Sequence, residues 1–184
     1  MTETGEPQAP GEPTETELKL GLDPRQVPAL LRHRILKAAL ARPRRQRLIS
    51  TYFDTPDLWL HKNRMALRVR KVGHRHIQTL KCAPDEKNGV HARREWEREL
   101  GSDRPDLSGI GDRKLRKLLR PAKIGQRLQP LFVTDIERRT WPVKIGASMV
   151  EVALDRGEIM APRGRVAICE AEFELKTGTI DGVY

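Results

Sequence analysis

Acidic and basic side chains recur at alternate positions in this sequence with unusual consistency. Glu15, Glu17 and Lys19 stand at even spacing, as do Arg64, Arg68 and Arg70, Thr79 and Lys81, Arg93, Glu95, Glu97 and Glu99, Glu151 and Asp155, and Glu170, Glu172, Glu174 and Lys176, with Arg138 between them in the chain. A period of two puts each set on one face of a strand. Guanidinium and ammonium groups gathered there can fork or point onto phosphate oxygens, and carboxylates at alternate positions can hold a hard divalent ion such as Mg²⁺ or Mn²⁺ through oxygen. Both signs on one enclosed surface would require compensation from each other, water, ions or ligand, because an unpaired buried charge is costly. That chemistry suits a polyphosphate with metal ions. Charges at i, i+2 and i+4 most often form the solvated face of an open sheet, and alternation alone leaves that reading standing.

The elements that would position these charges can be read from the intervening residues. Leu18 and Leu20, Met65, Leu67 and Val69, Leu80 and Cys82, Trp96 and Leu100, Val150, Val152 and Leu154, and Cys169, Ala171, Phe173 and Leu175 occupy the opposite faces. About eight antiparallel strands with the apolar face outward under helices would enclose a charged lumen, and a barrel of that size holds one small ligand. The expected class is therefore α+β, mostly antiparallel β: an eight-stranded closed β-barrel with flanking helices. Residues 1–13 carry three prolines, two glycines and three glutamates and read as a disordered leader. Asp23-Pro24 predicts a helix start, with a stripe of Val27, Leu30, Leu31, Ile35 and Ala38 running to about Ala41 before Pro43. Strands are expected over Arg47 to Phe53, before the turn Asp54-Thr55-Pro56-Asp57; up to Lys71, before Gly73; and as a hairpin of Arg75–Cys82 with Ala92–Leu100 around Pro84 to Gly89. Asp112 caps a short basic helix, Arg113 to Arg120, stopped by Pro121. Four extended segments follow, near Pro130–Arg138, Trp141–Ile145, Met149–Asp155 and Arg165–Lys176, with Gly146, Gly157 and Gly164 as punctuation.

Composition excludes several classes. No stretch has the roughly 18 uncharged apolar residues of a membrane span, and the N-terminus has no apolar signal region, so the expectation is a soluble cytoplasmic protein. Cys82 and Cys169 are too few for a disulfide framework or a cysteine zinc site and read as buried reduced thiols. His33, His61, His74, His76 and His91 show no metal-ligand spacing. With 35 Lys+Arg against 25 Asp+Glu the chain carries a formal net charge of +10, which favours polyanionic partners without naming one. Arg42, Arg44, Arg45, Arg47 and the helix Arg113 to Arg120 could form a footprint for a non-catalytic polyphosphate or nucleic-acid module. Three Trp, two Tyr and three Phe form no stacking series and no DNA-reading motif is present, which disfavours nucleic acid.

Taken in order, Glu15-Thr16-Glu17-Leu18-Lys19, Tyr52-Phe53-Asp54-Thr55-Pro56, Ala66-Leu67-Arg68-Val69-Arg70, Thr79-Leu80-Lys81, Arg93-Arg94-Glu95-Trp96-Glu97-Arg98-Glu99, Arg138 with Trp141, Asp155, and Cys169-Glu170-Ala171-Glu172-Phe173-Glu174-Leu175 resemble the CYTH superfamily, the triphosphate tunnel metalloenzymes. The resemblance covers about Thr14 to Lys176 and implies a triphosphate tunnel domain over 14–180. It further implies Mg²⁺ or Mn²⁺ as cofactor and tripolyphosphate or polyphosphate as the partner. Carried over by position, Glu15, Glu17, Asp155, Glu170 and Glu172 would be metal-site acids, and Lys19, Arg68, Arg70, Lys81 and Arg138 phosphate contacts. Tyr52 and Lys81 stand where thiamine triphosphatases place a tyrosine–lysine pair around the chemistry, and Glu170 where an acid holds metal or orients water. Within the family the small Ala66 replaces an aromatic that stacks on thiamine, and nothing signals an adenine pocket, so thiamine triphosphatase and class IV adenylate cyclase are the alternatives. The expected reaction is hydrolysis of inorganic triphosphate. The nearest likeness is to the N-terminal domain of bacterial triphosphatases that continue into a helical CHAD domain, which this chain would lack.

Overall fold

The structure, a computed structural model, describes residues 14–82, 93–111, 113–120 and 123–179. The leader over residues 1–13, the turn from Pro84 to Gly89 and the Asp112 cap lie outside the described residues. One antiparallel sheet dominates. Its strands are β1 (Thr14–Glu15), β2 (Glu17–Gly21), β3 (Arg44–Asp54), β4 (Met65–Val72), β5 (Arg75–Cys82), β6 (Arg93–Leu100), β7 (Gln129–Ile145), β8 (Ser148–Ala161) and β9 (Gly164–Thr177). They are hydrogen-bonded in the order β1-β6-β5-β4-β3-β7-β8-β9-β2.

Nine strands appear instead of eight because Thr16 divides the first segment. Thr14 and Glu15 pair with Arg94 and Arg93 of β6, whereas Glu17 to Gly21 pair with β9 from Glu174 to Glu170. The ladder is therefore linear, not a closed ring of hydrogen bonds. Its two terminal strands are nonetheless joined covalently through Thr16, whose carbonyl accepts from Leu175 N–H at 3.0 Å. One short segment thus reaches both ends of the sheet.

The apolar faces lie as the alternation predicts, beneath helices. The short helices α1 (Val27–Arg32) and α2 (Arg34–Lys37) cover one core in which Val27 and Leu36 meet Trp141, Val143, Val150, Val152 and Leu154. The second core gathers Leu60 of α3 (Trp59–Lys62), Leu115 and Leu119 of α4 (Arg113–Leu119) and Ile124 of α5 (Ile124–Arg127) against Met65, Leu67 and Leu80. Burying such side chains contributes about 1.5–3 kcal/mol each. The charged faces are left on the other side of the sheet.

Several expected boundaries move for identifiable reasons. The first helix is not continuous to Ala41: His33 is extended (φ −63°, ψ 143°), ends α1 and caps α2 by accepting from Ile35 N–H, so Leu36 becomes the buried residue. The segments expected near 130–138 and 141–145 fuse into β7. Pro142 is tolerated because β3 pairs only as far as Thr140 of β7, so no ladder bond is asked of the proline nitrogen on that side. Gly157 is not punctuation. It lies within β8 opposite Ile136, where a Cβ would stand 2.0 Å from the Asp135 carbonyl oxygen. Arg64 precedes β4 in a left-handed turn (φ 57°) and is exposed, so it does not share the strand face of Arg68 and Arg70.

Candidate active site

The charged faces of the sheet bound a cavity of about 970 Å³, lined among others by Glu17 and Lys19 of β2, Tyr52 of β3, Arg68 and Arg70 of β4, Lys81 of β5, Glu95 and Glu97 of β6, Arg138 of β7, and Glu172, Glu174 and Lys176 of β9. Residues far apart in the strand order thus face one space. Register explains why: Tyr52 stands opposite Arg68, which stands opposite Thr79, which stands opposite Glu97, and antiparallel partners share a face.

One wall is acidic, and each of its three grouped carboxylates has a cation beside it. Arg138 forks onto Asp155, with Nε–Oδ1 at 2.8 Å and Nη2–Oδ2 at 2.6 Å, and Nη2 also reaches Glu172 Oε2. Lys19 Nζ donates to Glu170 Oε1 at 3.1 Å and approaches Glu172 Oε1 at 2.5 Å. Oxygens of Asp155, Glu170 and Glu172 lie within 4.8 Å of one another. Burial works against the charge of Lys19, but its bonds to Glu172 and Glu170 outweigh it and hold the pKa above the usual lysine value. Burial likewise would raise the Glu172 pKa, and the Arg138 charge with the Lys19 hydrogen bond lowers it overall. Further along the same strands Glu17, Glu174 and Glu151 stand opposite one another in register, and Lys176 reaches Glu174 at 2.6 Å and Glu151 at 3.7 Å.

The other wall is basic and open. Arg68 and Arg70 have no carboxylate within ion-pair distance among the described residues, and the Arg68 Nε is buried with no hydrogen-bond partner. Arg70 Nε donates to Ser50 Oγ at 3.2 Å, a neutral partner. Burial, then repulsion from Arg68 and Arg138, pushes the Arg70 pKa down to about 10. Beside them Lys81 Nζ pairs with Glu95 Oε2 at 2.9 Å and Thr79 Oγ1 donates to Glu97 Oε1 at 3.0 Å. Tyr52 packs on Phe132 with ring centroids 4.5 Å apart and an interplanar angle of 19°, next to a β-bulge between Tyr52 and Phe53.

The residues singled out from sequence therefore divide. Glu17, Lys19, Tyr52, Arg68, Arg70, Lys81, Arg138 and Glu172 line the cavity. Asp155 and Glu170 belong to the adjoining carboxylate group, Asp155 being buried. Tyr52 and Lys81 face the same space from β3 and β5, with β4 between them. The Glu15 side chain lies outside those described. Cys82 and Cys169 are only partly buried, not the buried thiols expected. Ser50 was not anticipated; its position two before Tyr52 was the available signal, and its place opposite Arg70 comes from the strand pairing.

A CYTH domain model matches residues 13–183. The chain belongs to the CYTH family. It is 33% identical over 171 residues to an inorganic triphosphatase of Haemophilus influenzae, a match covering 92% of this chain and 47% of that protein; the chain thus spans about half the length of that relative. Among solved structures the CYTH fold recurs in a candidate adenylate cyclase of Bacillus halodurans (TM-score 0.62, 18% identity, 92% of this chain and 83% of that one). It recurs also in a candidate adenylyl cyclase of Hippeastrum described as having a dominant triphosphatase activity (TM-score 0.59, 22% identity, 89% and 80%). No helix among the described residues is long and apolar enough to cross a membrane.

Proposed function

We propose that this CYTH domain hydrolyses inorganic triphosphate to pyrophosphate and phosphate with a divalent metal, the sheet wrapping through Thr16 into a closed tunnel around the substrate. The observation that carries the reading is the basic wall: two arginines on one strand face a cavity with no carboxylate partner among the described residues, and one donor is buried with no bond among them. A folded protein keeps such charges only where the geometry has a use for them. Tripolyphosphate brings about four to five negative charges, and its oxygens suit the Arg68 and Arg70 forks. Lys81, Arg138 and Lys19 complete the phosphate-facing set.

The residues present fit a hard divalent cation, since Asp155, Glu170 and Glu172 offer only carboxylate oxygen at close range; Glu17 on the neighbouring strand β2 and Glu15 on β1 are assigned to the same task. When bound, such an ion would withdraw charge from phosphate oxygens and favour the hydroxide form of water. The chain's own contribution is positioning and neutralisation. Water oxygen attacks the terminal phosphorus, the bond to the bridging oxygen breaks, and pyrophosphate leaves with its growing charge facing the arginines. Glu170, at the rim of the acidic group, orients the water, while Tyr52 and Lys81 stand at the leaving side. Phosphate release from tripolyphosphate, pyrophosphate, ATP and thiamine triphosphate, each with Mg²⁺ and with EDTA, tests the reading. Metal-dependent release confined to tripolyphosphate is the expected result. Tight binding without release would make the domain a polyphosphate-binding module, and preference for ATP or thiamine triphosphate would transfer it to the other enzymes of the family.

A further inference from the structure

We propose that Lys19 is a resident counter-ion that must leave Glu170 and Glu172 before a divalent cation can occupy them, so that the released ammonium couples metal binding to anion binding in the cavity. The inference rests on the function proposed above and concerns how its two ligands communicate. The Lys19 ammonium touches two of the three grouped carboxylates, at 3.1 and 2.5 Å, and so stands where a cation is wanted. The two cations that touch the carboxylate group are not equivalent. Arg138 is held by a two-bond fork on Asp155 and its side chain is 24% exposed, whereas the Lys19 side chain is 46% exposed. An ammonium on a flexible four-carbon stem can turn away where a planar fork cannot.

The destination of Lys19 determines the coupling. Inside the cavity Glu95 already holds Lys81, Glu97 holds Thr79 and Glu174 holds Lys176, so a lysine turned towards Arg68 and Arg70, which lack carboxylate partners among the described residues, adds repulsion unless an anion is present. Polyanion removes that penalty and makes release of the lysine easier. Each ligand must then strengthen the other by the same factor, and couplings of this kind typically amount to about 5–150-fold.

The test uses Mn²⁺ alone as the metal probe, followed by electron paramagnetic resonance, on the whole chain and on Lys19→Met and Lys19→Gln, with inorganic phosphate as the anion. With no anion, both variants should bind Mn²⁺ about 10-fold more tightly than the parent, because the competitor is gone. Phosphate should tighten Mn²⁺ binding in the parent and have little effect in the variants. A merely structural lysine would give weaker or unaltered Mn²⁺ affinity on removal, and either result overturns the proposal while leaving the metal site in place. Absence of Mn²⁺ binding in all three proteins overturns the metal site and this proposal together. Two variants of different polarity, each checked by its melting curve, separate loss of the charge from loss of the fold.

Discussion

The two walls of the cavity hold similar densities of charge and treat them in opposite ways. On β8, β9 and β2 the carboxylates are matched: Asp155 and Glu172 share Arg138, and Glu172 and Glu170 share Lys19. On β4 Arg68 and Arg70 have no carboxylate partner among the described residues, and burial and mutual repulsion already weaken the proton affinity of Arg70. Each grouped carboxylate of the acidic wall thus has a cation beside it without any ligand, and under the proposals above a metal would displace one of them. The basic wall would gain a partner from an anion. Substitutions should accordingly separate function from stability on one wall and join them on the other.

The largest effect is expected from Arg68→Ala. Loss of a donor aimed at a developing anion lowers turnover by about 10²–10³-fold in other enzymes, and the same range is expected here in kcat/KM for tripolyphosphate, with the thermal midpoint little altered. Unaltered kinetics would remove β4 from the anion site.

On the acidic wall Glu172→Gln should damage both properties. It leaves Lys19 and Arg138 short of one partner in a mostly buried setting, so a stability loss of about 2–3 kcal/mol is expected, below the 3–5 kcal/mol of fully buried pairs. Metal-dependent turnover should fall with it, by less than in Arg68→Ala. The pH dependence has a definite sign. The folded-state pKa of Glu172 lies below its ordinary value of 4.5, so its stabilisation is present above that value and is lost as pH falls through the lower folded pKa. Acid melts of the parent should therefore show a stability loss below about pH 4.5 that Glu172→Gln lacks; parallel curves would mean the pairing contributes nothing.

A third region calibrates both walls. Asp54 is buried at the end of β3, where its carboxylate accepts from the backbone N–H groups of Thr55, Leu60 and His61 at 2.7, 2.8 and 3.0 Å, anchoring the turn and α3. Asp54→Ala should destabilise by about 2 kcal/mol, the upper range for a lost helix cap, while kcat/KM for tripolyphosphate stays constant at temperatures where the variant is folded. A changed kcat/KM there would mean that α3 shapes the cavity directly.

Much of this contrast was legible in the chain. Alternation is a local property of strands, so the shared faces of Glu170, Glu172 and Glu174, and of Arg68 and Arg70, followed from spacing, and the outward apolar faces followed with them. Pairing was not legible. Lys19 and Glu170 are 151 residues apart, and whether a lysine faces a carboxylate or an open cavity depends on which strands become neighbours. Local breaks also escaped periodicity. His33 interrupts a helical stripe because its side chain caps the next turn, and Gly157 sits in mid-strand because β7 passes too close for a Cβ. The division at Thr16 depends on two sheet edges competing for one short segment, which no local pattern encodes.

The smallest expected effect is also the sharpest test of the contrast, because its sign is unusual. The pKa of Arg70 falls from the ordinary arginine value to about 10, through burial first and then through Arg68 and Arg138. A base whose folded pKa is depressed binds its proton less tightly in the folded state than in the unfolded chain. Its charge therefore opposes folding fully below pH 10, and the penalty fades as pH rises from there towards the unfolded value. Replacing Arg70 by Met keeps most of the stem and removes the charge. Allowing for solvent screening of a partly exposed group, stability should rise by about 1 kcal/mol, or about 2–4 °C in thermal midpoint for a chain of this size. Tripolyphosphate without metal should raise the midpoint of the parent more than that of Arg70→Met, since the anion relieves in the parent what the substitution has already removed. A variant less stable than its parent would show that the Ser50 bond and the packing of the stem outweigh the repulsion, and the basic wall would then be as well compensated as the acidic one.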